Sequence, residues 1–141
     1  MTLKYLITGA SGGLGAHDLD CFVANWPLSE FATASSKESK KATAIEGVDN
    51  LFFVSTNVLD NERRKKQHGN FIDPARKVGV KHVWYTSLAL SGFKSDSQAA
   101  MLRTHYETED LLKESGLTYT SIREGAYAYA SLPSLIGFLI H

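Results

Sequence analysis

Three glycines, spaced three residues apart, follow the first apolar run of the chain. The segment reads LITGASGGLG over residues 6–15, and the glycines are Gly9, Gly12 and Gly15. Between a strand and a helix, the first glycine permits a tight turn, the second lets the backbone approach a diphosphate, and the third allows close helix–strand packing. Amide N–H groups and the helix dipole then favour an anion at that turn. The pattern predicts a dinucleotide-binding turn.

The spacing of the glycines leaves an alternative open. G-x-x-G-x-x-G departs from the G-x-G-x-x-G of many dinucleotide-binding turns, so an ordinary glycine turn is the competing interpretation. The position of the glycines between a strand and an amphipathic helix favours the nucleotide site. A P-loop is excluded, because no Gly-Lys-Ser/Thr follows the glycines.

The rest of the chain alternates strand-like and helical segments, which must position this turn. Strands are predicted at residues 3–8, 30–36, 50–56, 80–88 and 117–125. Helices are predicted from the glycines to Pro27 and over residues 37–47, 60–79 and 95–116, with Pro74 expected to kink or split the third. The alternation predicts an α/β fold, a Rossmann-like parallel sheet with helices on both faces.

Size, charge and cysteine content limit the classes of function. The 141 residues suffice for one domain, and the formal net charge of +0 removes a general attraction to nucleic acid or to an acidic membrane surface. Cys21, the single cysteine, cannot form an internal disulfide, which favours a reducing compartment, so we expect a cytoplasmic protein. The longest apolar stretch, near residues 132–140, is too short to span a bilayer. The histidines show no metal-ligand spacing.

The end of the second predicted strand bears on the choice of dinucleotide. An acidic residue there would bind the ribose hydroxyls of NAD, but this strand ends in Ser35, Ser36 and Lys37. Hydroxyl groups beside a cation suit the 2′-phosphate of NADP. Glu38 follows directly, and a solvated lysine at a helix start is the alternative. We expect NADP(H) in preference to NAD(H).

The order of several segments resembles a known family. These segments are YLITGASGGLG, ATASS, EGVDNLFFVST, VKHVWYTSL and HYETEDLLKESGLTYTSIREG. Together they resemble the NmrA-like group of atypical short-chain dehydrogenases/reductases, and most closely its NAD(P)H-dependent quinone oxidoreductase and azoreductase-like members. The likeness runs over nearly the whole chain.

The resemblance implies a Rossmann domain that binds NADP(H) and assigns residues to the site. The implied cofactor-binding residues are Gly9, Ser11, Gly12, Leu14, Gly15, Ser36, Lys37, Thr56, Ser87, Arg123 and Gly125. The family places the nicotinamide near the strand that ends in Thr86 and Ser87 and near the REG segment at 123–125. Tyr127 would then lie toward the substrate.

Two departures from the family pattern shape the expected fold. The 14 residues from 37 to 50 fit one helical crossover of about ten to twelve residues, but not the family's additional third strand. We therefore expect about five strands in the order 2-1-4-5-6, counted in family numbering with the third strand missing. The family is also about twice as long. We expect a nucleotide-binding domain over residues 1–130 and an apolar tail over 131–141 that begins a missing substrate region.

Catalytic candidates are few. Many short-chain dehydrogenases pair a tyrosine with a lysine four residues later, but Asp110 stands four residues after Tyr106, and a carboxylate would raise the tyrosine pKa. We therefore assign no such pair. Ser87 could form a hydrogen bond near the nicotinamide and His105 could donate a proton, although a packing role for His105 is the alternative. The RRKK run at 63–66 could contact phosphates or form a solvated helix face.

Two classes of function remain. The first is an NADP(H)-dependent oxidoreductase that transfers hydride to a quinone or a similar small acceptor. The second is a dinucleotide-binding sensor without turnover, whose apolar residues 132–140 contact a protein partner or a second copy of the chain. An inactive shortened member that does not fold stably is a further alternative.

Overall fold

The structure, a computed structural model, describes residues 5–9, 13–25, 27–34, 45–56, 60–89 and 100–124. Its strands are β1 (Tyr5–Thr8), β2 (Phe31–Ala34), β3 (Asn50–Phe53), β4 (His82–Leu88) and β5 (Tyr119–Glu124). Its longer helices are α1 (Gly13–Asn25), α2 (Asn61–Val78) and α3 (Ala100–Ser115), and a short 3₁₀ helix spans Leu28–Glu30. The predicted alternation of strands and helices is confirmed within the described residues, while the helix predicted between β2 and β3 falls almost entirely outside them.

The five strands form one parallel sheet in the order β2-β1-β3-β4-β5. This is the predicted arrangement, because the family order without its third strand is the same sequence of neighbours. β2 lies on one side of β1, and the chain then crosses over to form β3 on the other side of β1. The order therefore reverses between β1 and β3, and ligands of open α/β sheets bind in the crevice at such a point.

Apolar side chains on one face of the sheet form the core with α2 and α3. Leu6, Leu51 and Val83 are register partners across three strands and are almost completely buried. Two residues further along β3 and β4, Phe53 packs on Tyr85 with ring centroids 5.4 Å apart. Phe71, Ile72, Ala75 and Leu112 cover this face from the two helices. Burial of each large side chain contributes roughly 1.5–3 kcal/mol.

Pro74 was predicted to kink or split helix α2, and the structure shows that it does not split it. The Asp60 carboxylate accepts the backbone N–H of Arg63 at 3.1 Å, and Gly79 ends the helix in the left-handed conformation. Between these caps the helix is one element that contains Pro74. Proline removes one helical N–H and its ring crowds the carbonyl four residues earlier, but these costs do not end the helix here. Buried Phe71 and Ala75, on either side of Pro74, hold the adjacent turns against the sheet.

Some predicted boundaries move or fall outside the described residues. The third predicted strand ends at Phe53 rather than at residue 56. Beyond Phe53, the backbone N–H groups of Val54 and Ser55 bind threonine side chains instead of the backbone of a neighbouring strand. Residues 37–44 of one predicted helix and residues 125–141, which include the predicted boundary at 130, lie outside the description. Within the described ranges, no helix is both long enough and apolar enough to cross a membrane.

Candidate functional site

Gly9, which directly follows β1, adopts a backbone conformation that favours glycine. Gly9 has φ +68°, and its N–H donates to the Ala34 carbonyl at 3.2 Å. A Cβ placed on Gly9 would lie 3.3 Å from the Cβ of Val54. A side chain at this position would therefore combine an unfavourable backbone conformation with a close contact. Helix α1 begins at Gly13, four residues later.

The segment Val54–Thr56, which follows β3, lies beside Gly9 and is held by side chains. The N–H of Val54 donates to Thr8 Oγ1 at 2.9 Å, and the N–H of Ser55 donates to Thr86 Oγ1 at 2.8 Å. The carbonyl oxygen of Thr56 accepts Nε of Arg64 at 2.9 Å and also accepts Nη2 of the same guanidinium. Side chains from β1, β4 and α2 thus fix three successive residues at the carboxyl end of β3.

This edge of the sheet collects most of the described residues that the sequence assigned to cofactor binding. Gly9, Thr56, Ser87 and Arg123 lie at or just beyond the carboxyl ends of β1, β3, β4 and β5. Leu14 and Gly15 lie in the first turn of α1. The remaining predicted residues fall outside the described ranges: Ser11, Gly12, Ser36, Lys37, Gly125 and Tyr127.

The described residues fit a dinucleotide. The glycine turn precedes a helix, it lies beside the point where the strand order reverses, and a Cβ would crowd it against Val54. Groups of three or more His, Cys, Asp or Glu side chains that could bind a metal are not found within the part of the chain that the structure describes.

Ser87 and Arg123 share a carboxylate that the sequence analysis missed. Ser87 Oγ donates to Glu109 Oε1 at 2.6 Å, while Arg123 Nη2 lies 2.7 Å from Glu109 Oε2 and Arg123 Nε lies 3.3 Å from Oε1. Burial raises the pKa of Glu109, but the hydrogen bonds and charge of Arg123 and the bond from Ser87 outweigh it, so the pKa is lowered overall. Glu109 is therefore ionised at neutral pH and fixes both side chains.

A signal for Glu109 was present in the sequence. His105, Glu109 and Leu112 recur at the spacing of one helix face, and all three are buried on α3. A carboxylate on the buried face of a helix requires a partner. The pattern therefore indicated a buried ion pair, although it could not identify Arg123 or Ser87 as the other members.

The structure places the proton-donor candidate His105 within the core. Its Nδ1 lies 2.8 Å from the hydroxyl oxygen of Tyr85, and the residue is 3% exposed. Burial lowers the pKa of His105 to about 4 and raises that of Tyr85 to about 12. Both are thus neutral at neutral pH. This is the packing position that the sequence left as the alternative, and the proton-donor role stays a prediction.

A second buried imidazole continues these polar contacts between the helices. His68 Nδ1 on α2 lies 2.8 Å from Thr108 Oγ1 on α3, and Thr108 Oγ1 donates to the Thr104 carbonyl at 2.8 Å. Burial, together with the positive charge of Arg64, lowers the pKa of His68 to about 3. The imidazole of His68 is therefore neutral and belongs to the packing of α2 on α3.

Known proteins share this fold and much of the sequence. A family model described as NAD(P)H-binding matches residues 31–131. The chain is 45% identical to the NmrA-like family domain-containing oxidoreductase flvB of Aspergillus flavus, with 89% of this chain and 48% of that protein covered. It is 29% identical to quinone oxidoreductase 2 of Escherichia coli, with 96% of this chain and 53% of that protein covered.

Two solved structures are close in fold. The NADPH-dependent quinone oxidoreductase QOR2 of Escherichia coli, complexed with NADPH, superposes with a TM-score of 0.82 at 28% identity, covering 94% of this chain and 53% of that chain. The triphenylmethane reductase of Citrobacter sp., complexed with NADP(H), gives a TM-score of 0.79 at 25% identity, covering 89% and 50%. The chain spans about half the length of these relatives.

Proposed function

Because the chain belongs to the NAD(P)H-binding family and is similar to NmrA-like oxidoreductases, we propose that it holds NADP(H) at the carboxyl edge of its sheet. We propose further that the whole protein transfers hydride to a quinone or a similar small acceptor. The observation that carries the proposal is the Gly9 turn, which packs on Val54 beside the reversal of strand order. The bound cofactor would supply the hydride, and one proton taken up with it would give the hydroquinone.

In this proposal, the residues of this chain bind the cofactor and orient it. Amide groups between Gly9 and the start of α1 hold the diphosphate, with Ser11 and Gly12 in that turn. Thr56, Ser87 and Arg123 line the edge, and Glu109 keeps the last two in place. Further along the chain, Gly125 would contact the nicotinamide and Tyr127 the acceptor. His105 is neutral at neutral pH, so it would have to take up a proton before it could donate one.

A preference for NADP(H) over NAD(H) is part of the proposal. It rests on the Ser36 hydroxyl and the Lys37 cation at the end of the second strand segment, which suit a 2′-phosphate. We expect Lys37→Ala to weaken NADPH binding about tenfold and to leave NADH binding unchanged. Lys41→Ala, which removes an equal charge four residues away, is the matched control. Equal effects of Lys37→Ala on both nucleotides would contradict the preference.

The test of the activity is direct. The purified chain is incubated with NADPH and a benzoquinone, and nicotinamide absorbance is followed against a reaction without protein. Isothermal titration with NADPH and NADH on the same sample measures binding separately. Loss of absorbance above the control supports the reductase, and binding that is absent for both nucleotides overturns the proposal at its first step.

A nucleotide-binding sensor without turnover is the second candidate. It is favoured by the position of Asp110 four residues after Tyr106, where many reductases carry a lysine, and by the burial of His105 in the core. In this case NADPH binds with measurable heat and the absorbance stays at the control value. The same two measurements therefore separate the candidates.

A further inference from the structure

Arg64 is a buried cation within a basic run that the sequence could place only in solvent or on a phosphate. Arg63 and Lys66 are exposed, and Lys65 pairs with Glu107 at 3.2 Å. Arg64 is only 4% exposed. Among the described residues no carboxylate lies within ion-pair distance of it. Burial of a guanidinium without a counter-charge is costly, so its remaining contacts must have a structural or functional use.

The partner of Arg64 is the backbone of the candidate site. Nε and Nη2 both donate to the carbonyl oxygen of Thr56. The guanidinium is a rigid planar fork, so two donors on one oxygen fix the direction of that C=O group. Burial lowers the pKa of Arg64, yet an arginine stays protonated in proteins, and the bonds are charge-assisted.

The contact between Arg64 and Thr56 matters because of where Thr56 lies in the chain. Register pairing of β3 ends at Phe53, so the peptide groups of Val54–Thr56 have no place in the strand ladder. Thr8 and Thr86 bind the first two of these residues, and Arg64 binds the third. The same segment supplies the Val54 side chain that packs on the Gly9 turn.

We infer that Arg64 is a positioning residue for nucleotide binding: by holding the Thr56 carbonyl it fixes Val54–Thr56 in the conformation that forms one wall of the crevice beside Gly9. The inference rests on the proposed function, because it assumes that the nucleotide occupies this crevice. Arg64 does not itself touch the ligand. Its guanidinium is covered and acts through the backbone.

The test compares Arg64→Met with Arg63→Met in the whole chain. Each variant loses one arginine of α2, but Arg63 lies on the exposed face. Titration calorimetry measures the Kd of NADPH, and NMR hydrogen exchange without ligand measures the Ser55 amide, which donates to Thr86 Oγ1. We expect Arg64→Met to raise the Kd about tenfold and to speed Ser55 exchange about tenfold, with core amides of β1 and β4 unchanged. Arg63→Met should stay within about twofold on both measures.

The outcomes distinguish this inference from the function on which it rests. No binding of NADPH by the wild-type chain overturns both. Binding by the wild type with an unchanged Kd in Arg64→Met overturns only the inference, as does exchange that rises equally across the whole sheet. If Arg64→Met does not fold, Arg64→Lys, which keeps the positive charge, is tested in its place. A single ammonium cannot replace the fork, so a Kd about threefold higher is expected, and a wild-type Kd overturns the inference.

Discussion

The hydroxyl of Tyr85 and Nδ1 of His105 lie 2.8 Å apart between β4 and α3, and both groups are buried. The two rings pack with centroids 5.9 Å apart. On the other side of Tyr85, the imidazole of His68 packs with its centroid at 5.8 Å. Two uncharged imidazoles therefore flank one phenol in the core, and this arrangement makes folding sensitive to acid.

We predict that the free energy of unfolding falls as the pH drops below about 6.5, the ordinary histidine pKa. In the folded chain the pKa values of His68 and His105 are lowered to about 3 and about 4, so the unfolded chain takes up protons first. Each histidine removes up to about 1.4 kcal/mol per pH unit until the folded pKa is reached.

Urea unfolding near pH 5 and near pH 8 measures this effect. The double variant His68→Asn/His105→Asn keeps a polar atom near each Nδ1 position and loses both titrating groups. Its stability should change less between the two pH values than that of the wild type. Equal changes in the two proteins would contradict the prediction.

We predict that Gly9→Ala destabilises the chain by roughly 2–4 kcal/mol, from the left-handed backbone conformation and the contact with Val54. The matched control is Gly116→Ala, because Gly116 has φ +74° but open space around its Cβ position. The control should cost only roughly 1–2 kcal/mol. Chemical denaturation gives both values. NADPH affinity should fall in Gly9→Ala alone, and an equal fall in both variants would count against the nucleotide turn.

We predict that Glu109→Gln destabilises the chain by roughly 1–3 kcal/mol, because the buried carboxylate that binds Ser87 and Arg123 loses its charge. The expected loss of stability is modest because the Arg123 side chain is 35% exposed, so water screens the ion pair. Glu107→Gln on the same helix removes half-exposed ion pairs to Lys65 and Arg103 and should cost less than about 1 kcal/mol. Denaturant midpoints at neutral pH rank the two variants, and a reversed ranking would show that Glu109 is not the stronger anchor.

We predict that Pro74→Ala stabilises the chain by up to about 3 kcal/mol, because it restores a helical N–H within α2 and removes the ring from the helix interior. The greater freedom of the unfolded alanine chain reduces the gain. Thermal and urea unfolding measure it. A lower midpoint in the variant would show that Pro74 has packing contacts that alanine cannot replace.

The fold was accessible to sequence reasoning because local signals agreed with one another. Alternating strand and helix patterns, with a glycine turn after β1, predicted the parallel α/β sheet, and the family resemblance with one strand removed gave its order. The partners of Arg64 and Glu109 were not accessible. Arg64 lies in a run that resembles a solvated face, and its burial depends on where the chain after β3 passes. A carboxylate on a buried helix face shows that a partner exists, but only the packed sheet brings Arg123 and Ser87 to it.

The bond between His68 and Thr108 limits how α2 and α3 can slide or rotate against each other. Contacts between leucine side chains tolerate small displacements. A hydrogen-bond donor and its acceptor, by contrast, meet at only one relative position of the two helices along their axes. Thr108 Oγ1 also donates a hydrogen bond to the carbonyl oxygen of Thr104, one turn earlier in α3. The helix pair should therefore keep its alignment when apolar neighbours on either helix are substituted, and with it the positions of Arg64 and Glu109 relative to the sheet.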